Sequence, residues 1–374
     1  MLRGLINSSS ALRAATTVAA LATGSAATAQ SPSAGAVYDT SHSVQTNVPG
    51  VTTFPPLPQG FDAVNASSEQ RAAFGLPPAP DPTSDPEARG KWEKAMSLVG
   101  SAKQAAPGTL KATKLKAGPV AAVGNLSGSV NGSTASYAYN WSGVVSTNTL
   151  TSWNAKNSFV GVVSEFNVPV AQQAFGGFCD GTWDYEVSWN GIDGYTVGDV
   201  LQGGSLSGAY CSGGSRSTEY FAWVEWYPSY PIIGAFLVNP GDDIFVETYA
   251  TGPKNGYVYI QDLTQQIYAT YHLQPTQAPY LVGNSAEYIV ERPCCNGSKF
   301  YALANYVGNF WANSYAWTGA GQYYYPTTSG SNTAIVTMVA DNGQTQISQV
   351  LEVGANYQIF FTDENCAYSG GCAP

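Results

Sequence analysis

Charge is scarce in this 374-residue chain: Asp, Glu, Lys and Arg make up 11% of it, against about 25% in an average soluble domain. Lys and Arg number 15 and Asp and Glu 25, for a formal net charge of -10. A nucleic-acid-binding face needs clustered cations, so that class falls away. Histidine occurs only twice, which leaves little for a His-based nucleophile or a zinc centre. Heptads rich in Glu, Lys and Leu are missing, which excludes coiled coils and helical bundles. No G-x-S-x-G, no paired Asp-Thr-Gly or Asp-Ser-Gly, no P-loop and no dinucleotide fingerprint is present. Past the amino-terminal leader there is no run of about 18 apolar residues, so no membrane-spanning helix is expected.

What is abundant is aromatic or small: 24 Tyr, 14 Phe, 9 Trp and 40 Gly. With 44% apolar residues a full core can be built, and this aromatic density argues against intrinsic disorder. The few charges are unevenly placed. Residues 1–118 hold 10 of the 15 cations and 7 of the 25 acids, a balance of +3, and residues 119–374 are left at -13. Fully protonated in acid, the second part keeps only Lys156, Arg216, Lys254, Arg292, Lys299, His272 and an amino terminus as cations. Repulsion between cations drives much acid unfolding, so this composition suits work in acid.

Residues 1–29 read as a secretory signal peptide. Arg3 and Arg13 precede an apolar run, Ala14 to Ala22, and Ala27-Thr28-Ala29 is a small-x-small cleavage site. Residues 30–118 are rich in Pro, Ala and Ser and read as a mostly irregular propeptide. One helix is expected in it, roughly Asp85 to Val99, with Trp92, Ala95, Met96 and Val99 on one face. Its Lys-bearing end, Lys91 to Lys116, abuts the acidic part and predicts docking by charge, with release in acid. The mature start is expected between Lys111 and Tyr139.

All six cysteines follow residue 118, at 179, 211, 294, 295, 366 and 372. An even number in an exported chain reads as disulfides with 15 possible pairings, among them Cys179–Cys211 around a loop. Their spacing does not suit zinc. Sequons stand at Asn65, Asn125, Asn131, Asn140 and Asn296.

Residues 119–374 read as strands. Trp183, Tyr185, Val187 and Trp189 alternate with polar residues, and Phe221, Trp223, Glu225 and Tyr227 share one face of a second run. Further runs are Ile244–Tyr249, Tyr257–Leu263, Ala286–Val290, Phe300–Tyr306, Thr333–Ala340 and Tyr357–Thr362, separated by turns such as Asn239 to Asp242 and Asp341 to Gly343. The fold class is all-β, a concanavalin-like sandwich of two antiparallel sheets. A carboxylate among aromatics, as at Glu225, suits a groove better than a dry core.

With His272 more at home as a strand or surface residue, the chemistry left is that of carboxylates, amides and aromatics. Asn140-Trp141-Ser142-Gly143, then Trp189-Asn190-Gly191-Ile192-Asp193-Gly194, Leu201-Gln202-Gly203-Gly204, Glu225-Trp226-Tyr227-Pro228 and Ala286-Glu287-Tyr288-Ile289-Val290-Glu291 follow in order. Read together they resemble the eqolisins, acid-acting glutamic peptidases with a Gln/Glu catalytic pair. The resemblance covers roughly Asn140 to Thr362. It implies a two-sheet sandwich and secreted endopeptidase activity on proteins or peptides. It also implies Gln202 and Glu287 as the catalytic pair and Trp189, Asp193 and Glu225 lining the cleft.

No cofactor or metal is expected. Expected partners are the substrate and the chain's own propeptide, with no nucleic acid or membrane, and a monomer. Asn190 in place of an apolar residue, Tyr288 in place of Trp, and the Gly- and Ser-rich stretch from Gly203 to Ser217 depart from the family pattern. They bear on loop shape and substrate preference. Other readings of the same residues are a sugar-binding sandwich, a glycosidase using Glu225 and Glu287, and a non-catalytic adhesive protein. In these Gln202 is a turn residue, or Glu287 a partner of Arg292.

Overall fold

The protein is described by a computed structural model over residues 38–123, 128–130, 132–174, 179–297, 299–327, 330, 332–354 and 358–363. The predicted signal peptide, Asn125, Asn131, Cys366 and Cys372 lie outside these residues.

The amino-terminal segment contains β1 (Val44–Gln45), β2 (Val51–Thr53), α1 (Ser68–Ala73), α2 (Pro86–Val99), β3 (Lys103–Gln104) and β4 (Lys111–Ala112). Next come β5 (Gly128–Val130), β6 (Ser133–Ala138), β7 (Trp141–Thr147), β8 (Phe159–Asn167), β9 (Asp180–Ile192), β10 (Val200–Ser212), β11 (Ser215–Tyr227) and β12 (Ile233–Leu237). They are followed by β13 (Asp243–Gly252), β14 (Asn255–Asp262), β15 (Ile267–Leu273), β16 (Ser285–Glu291), β17 (Cys294–Asn296), β18 (Lys299–Phe300) and β19 (Ala302–Leu303). The last are β20 (Gly308–Thr318), β21 (Tyr323–Tyr324), β22 (Thr333–Val339), β23 (Gln346–Val353) and β24 (Ile359–Asp363).

Two layers emerge from the pairings. One runs β6–β22–β7–β16–β9–β10–β11–β12–β4. The other runs β24–β20–β8–β13–β14–β15–β2–β1. Strand β23 pairs with both β22 and β24, so the ladder continues from layer to layer. Most pairs are antiparallel, as the hairpin turns predict. Between the layers lies the main core, with Ile192, Leu201, Val224, Trp226, Tyr288 and Val290 from the first layer packed with Val162, Val246, Val258 and Tyr271 from the second.

The strand runs expected over 244–249, 257–263, 286–290 and 333–340 coincide with β13, β14, β16 and β22. That expected over 300–306 is broken, because β18 pairs with β17 and β19 lies parallel to β9. The Gly- and Ser-rich stretch is strand rather than loop. It forms the long β10–β11 hairpin, turned at Gly213 and Gly214, both at positive φ. Gly204 is required inside this strand, because a Cβ there would stand 1.9 Å from the Ser188 carbonyl oxygen. Cys179 and Cys211 form a disulfide.

The amino-terminal segment is more ordered than its composition suggests. Helix α2 starts where Asp85 accepts from the Ala88 amide at 2.9 Å, with Pro86 in the first turn. Its Ala88, Trp92, Ala95, Met96 and Val99 are buried against Val163, Phe245, Tyr259, Tyr268 and Tyr315 on the outer face of the second layer. Strands β2 and β3 pair with β15, and β4 pairs with β12, so this segment caps an edge of each layer. Lys94 forms ion pairs with Glu165 (2.8 Å) and Asp243 (3.4 Å). No other ion pair joins the segment to residues beyond 118 among the described residues. Aromatic burial therefore holds the segment more than the charge docking expected from its composition.

Candidate active site

The outer face of the first layer is a groove floored by aromatics. Period 2 puts Trp141 and Val145 of β7, Val187 and Trp189 of β9, Leu206 of β10, Trp223 of β11 and Ile289 of β16 on this face, all fully buried. Leu115 and Ala117 complete the cluster, because the stretch from Thr113 to Ala121 runs through the groove as a strap.

Main-chain hydrogen bonds hold the strap at both ends. Thr113 N donates to Ile232 O, and Ile232 N donates to Leu115 O. Lys116 and Cys294 exchange a pair of bonds at 2.7 and 2.8 Å, and Val120 N donates to Gly194 O. Side chains of the groove grip its centre. Gln202 Nε2 donates to Ala117 O and, at 3.3 Å, to Glu225 Oε2. Ala117 N donates to Glu225 Oε2 at 2.9 Å. Gly118 N donates to Glu291 Oε1 at 3.2 Å, and Gly118 O accepts from Trp141 Nε1 at 3.0 Å. Pro119 O accepts from Asn140 Nδ2.

Glu291 is the most heavily ligated carboxyl of the groove. Its Oε2 accepts from the indoles of Trp141 (3.0 Å) and Trp189 (2.9 Å), and its Oε1 accepts from Asn140 Nδ2 as well as from Gly118. Burial pushes it well above the usual carboxylate range, while these four donors pull the other way. Glu225 is likewise raised, first by burial and further by the charge of Glu291, and the Ala117 amide and Lys116 oppose the shift.

The residues expected from sequence divide accordingly. Gln202, Glu225 and Trp189 meet at the strap, Trp189 through Glu291. Asp193 does not touch the strap. At φ 68° it turns its carboxylate onto the amides of Val282, Gly283 and Asn284 at 2.6–2.9 Å and so pins the loop that leads into β16. Glu287 occupies the same row as Gln202, across Gly191. It is fully buried, burial pushes it up, the neighbouring Ser285 hydroxyl opposes the shift, and the charges of Asp193 and Asp199 add to it. Arg292, its alternative partner, pairs with Asp341 at 2.6 Å instead.

Glu291 stands in the quoted segment but was not named from sequence as a site residue. Residues 287 and 291 share a strand face, and only the donors arriving from Asn140, Trp141 and the strap separate them. Asn140 is buried in this network, which removes it as a glycan acceptor. The two departures, Asn190 and Tyr288, are direct cross-strand neighbours facing the other layer. Asn190 bridges to it by donating to Val246 O and accepting from Thr248 Oγ1, so neither residue contacts the strap. His272 lies in β15 stacked on Tyr257, away from the groove.

Beside the strap, toward β11 and β12, a cleft of about 580 Å³ is lined by Lys111, Leu115, Tyr185, Phe221, Phe236 and Tyr301. It continues the apolar character of the groove upstream of Ala117.

Residues 139–359 match the Peptidase A4 family, the eqolisins, over more than half of the chain. The chain belongs to that family. It is 27% identical over 229 residues to Aspergillopepsin-2 of Aspergillus niger, spanning 57% of this chain and 75% of that one. Among solved structures it is similar to scytalido-glutamic peptidase bound to a peptide-based transition-state analogue (TM-score 0.47, 20% identity, 60% of this chain and 98% of that chain). It is also similar to aspergilloglutamic peptidase from Aspergillus niger (TM-score 0.41, 25% identity, 48% and 99%). The protein is accordingly a peptide-bond hydrolase of the eqolisin family. Among the described residues no helix is long and apolar enough to cross a membrane.

Proposed function

We propose that the protein is a secreted, acid-acting endopeptidase, made with a leader over residues 1–29 and held latent by part of residues 30–118. Its catalytic pair is Gln202 and Glu291, with Glu291 in the role that the sequence motif had suggested for Glu287. One observation carries the reading: a peptide already lies across the pair, with its carbonyl oxygen on Gln202 and its next amide on Glu291.

In this assignment ionised Glu291 takes a proton from water, whose oxygen attacks the substrate carbonyl carbon. The Gln202 amide stabilises the oxyanion. Glu291 then delivers the proton to the leaving nitrogen. Glu225 fixes which way the Gln202 amide points by accepting from its Nε2, and it binds the amide of the residue before the cleaved bond. Trp189 and Trp141 orient Glu291. A carboxyl serves at acid pH, where neutral imidazole would be scarce, and the glutamine amide does not titrate.

Looser docking of the segment in acid, short of release, follows from the Lys94 pairs. Burial and neighbouring Glu165 raise Asp243 to about 6, so protonation below that value removes part of their attraction.

The glycosidase reading loses ground on register. Glu225 and Glu287 sit in one row with Gln202 and Gly191 between them, their main chains about 14 Å apart at the usual strand spacing, and the group that meets Glu225 is the Gln202 amide rather than a second carboxyl. A carboxylate pair for sugar hydrolysis stands about 5–9.5 Å apart.

Gln202→Ala tests the reading. Hydrolysis of denatured protein at acid pH should fall about 10²–10³-fold if the amide is the oxyanion donor. A folded variant with unaltered turnover would refute it.

A further inference from the structure

The strap is more than a plug. A segment that merely fills a groove is free to cross it in any register and in either direction. This one places a single peptide bond, Ala117–Gly118, on the groups that hydrolysis requires. The carbonyl oxygen of that bond receives the Gln202 amide, and its nitrogen faces Glu291 Oε1 at 3.2 Å. The flanking amide of Ala117 is held by Glu225, and the flanking carbonyl of Gly118 by Trp141. Neighbouring bonds of the strap are engaged otherwise. Lys116 pairs with the main chain of Cys294, and Pro119 carries no N–H to present to a carboxyl.

We infer that Ala117–Gly118 is the bond this chain cuts in itself, intramolecularly, to open its own groove. The inference rests on the assignment of Gln202 and Glu291 above. Water adds across the bond: its hydroxyl goes to the Ala117 carbonyl carbon and its remaining proton, carried by Glu291, to the Gly118 nitrogen. The products are an Ala117 carboxyl terminus and a Gly118 amino terminus. The cut waits on fraying of the strap, because the buried oxygens of Glu291 are occupied by four N–H donors while the groove is covered. Solvent entering the groove supplies the attacking water and also relieves that burial.

The same pose describes the preferred substrate. The methyl of Ala117 is fully enclosed with Leu115 in the aromatic cluster, so a small apolar residue is selected before the cut. At position 118 a Cβ would lie 3.4 Å from the Tyr227 ring. That is ordinary contact, so the position after the cut accepts side chains.

The test uses the purified full chain brought from neutral pH to about pH 4 over a tenfold range of concentration, with pepstatin present. New amino termini are read by mass spectrometry, and a denatured protein is supplied in parallel as an external substrate. The expected first terminus is Gly118, formed at a rate independent of concentration. It should form about 10²–10⁴-fold more slowly in Glu291→Gln and be absent in Gly118→Pro, which lacks the amide hydrogen. If the first cut falls elsewhere, or its rate scales with concentration, the inference is overturned while cleavage of the external protein leaves the catalytic assignment standing. If Glu291→Gln, shown folded by circular dichroism, still digests the external protein at the wild-type rate, the assignment and the inference both fall. A wild-type chain that cuts neither itself nor the external protein overturns both as well.

Discussion

Trp92→Ala should detach the amino-terminal layer from the β-domain. Trp92 has no exposed surface and sits in the cluster with Phe245, Tyr259, Tyr268 and Tyr315. Truncating a buried Trp to Ala costs about 3–5 kcal/mol, transfer and cavity together. Its indole N–H donates to Pro77 O at 3.2 Å, worth about 1 kcal/mol net. The guanidinium groups of Arg71 and Arg89 lie 5.2 and 4.8 Å from its ring, each adding about 0.5 kcal/mol at partly exposed sites. The sum is about 5–7 kcal/mol, a large fraction of the 5–15 kcal/mol that holds a typical domain together. The loss is local to the layer between Leu57 and Ala102, so the β-sandwich should persist. Urea unfolding followed by tryptophan fluorescence should gain an early transition. Dye binding should rise as the tyrosine face is uncovered, and limited proteolysis at neutral pH should cut between residues 57 and 104. A variant with the wild-type urea midpoint and wild-type protease resistance would refute the idea that this helix is an integral layer.

Other consequences can be measured separately. Because this layer is held independently of Ala117–Gly118, the fragment that precedes Gly118 should co-elute with the β-domain on size exclusion after acid cleavage, and immediate separation would count against the packing described. Replacing Cys179 and Cys211 with Ser should lower stability by about 3–4 kcal/mol, from loop-closure entropy over their separation of 32 residues; an unchanged denaturation midpoint would contradict this. Stability should also depend on pH in an unusual direction. Burial raises Asp193 to about 6, Asp199 to about 7, and Glu186 and Glu247 to about 8. The folded chain then keeps protons that the unfolded chain releases near pH 4. Their contribution is full below about pH 4 and is lost as pH rises through about 6 to 8. His272, lowered by burial, works the other way as pH falls below its usual value of about 6.5, as one group against four. A melting temperature that climbs from pH 4 to pH 8 would contradict the balance.

The architecture was readable because alternation is a local property. Trp183 to Trp189 and Phe221 to Tyr227 announce strands without reference to any partner. The amino-terminal strands were not readable in the same way. Two or three residues such as Val51–Thr53 or Lys111–Ala112 become strands only because β15 and β12 offer unpaired edges. Gly203 to Ser217 misled for a different reason. Glycines ordinarily weaken strands, but Gly204 is there because Ser188 leaves no room for a side chain.

Of the residues named from sequence, Gln202 and Glu225 meet the strap directly and Trp189 meets it through Glu291. The proposal of Glu291 in place of Glu287 could not be read from sequence, because both lie on one face of β16. What distinguishes them is Asn140, Trp141 and Gly118, about 150 residues or more away in sequence. Asn140 and Trp141 were already part of the motif series, so a requirement that each motif residue meet another would have pointed to Glu291. Asp193 shows the converse: it belongs to the motif because it shapes a loop, rather than because it meets the peptide.

The most direct test of the central claim sets Glu287→Gln beside Glu291→Gln, each shown folded, and follows digestion of denatured protein from pH 2 to 7 with pepstatin present. Pepstatin-resistant digestion should peak in acid, be abolished in Glu291→Gln and survive in Glu287→Gln. Digestion abolished in Glu287→Gln and retained in Glu291→Gln would contradict the claim.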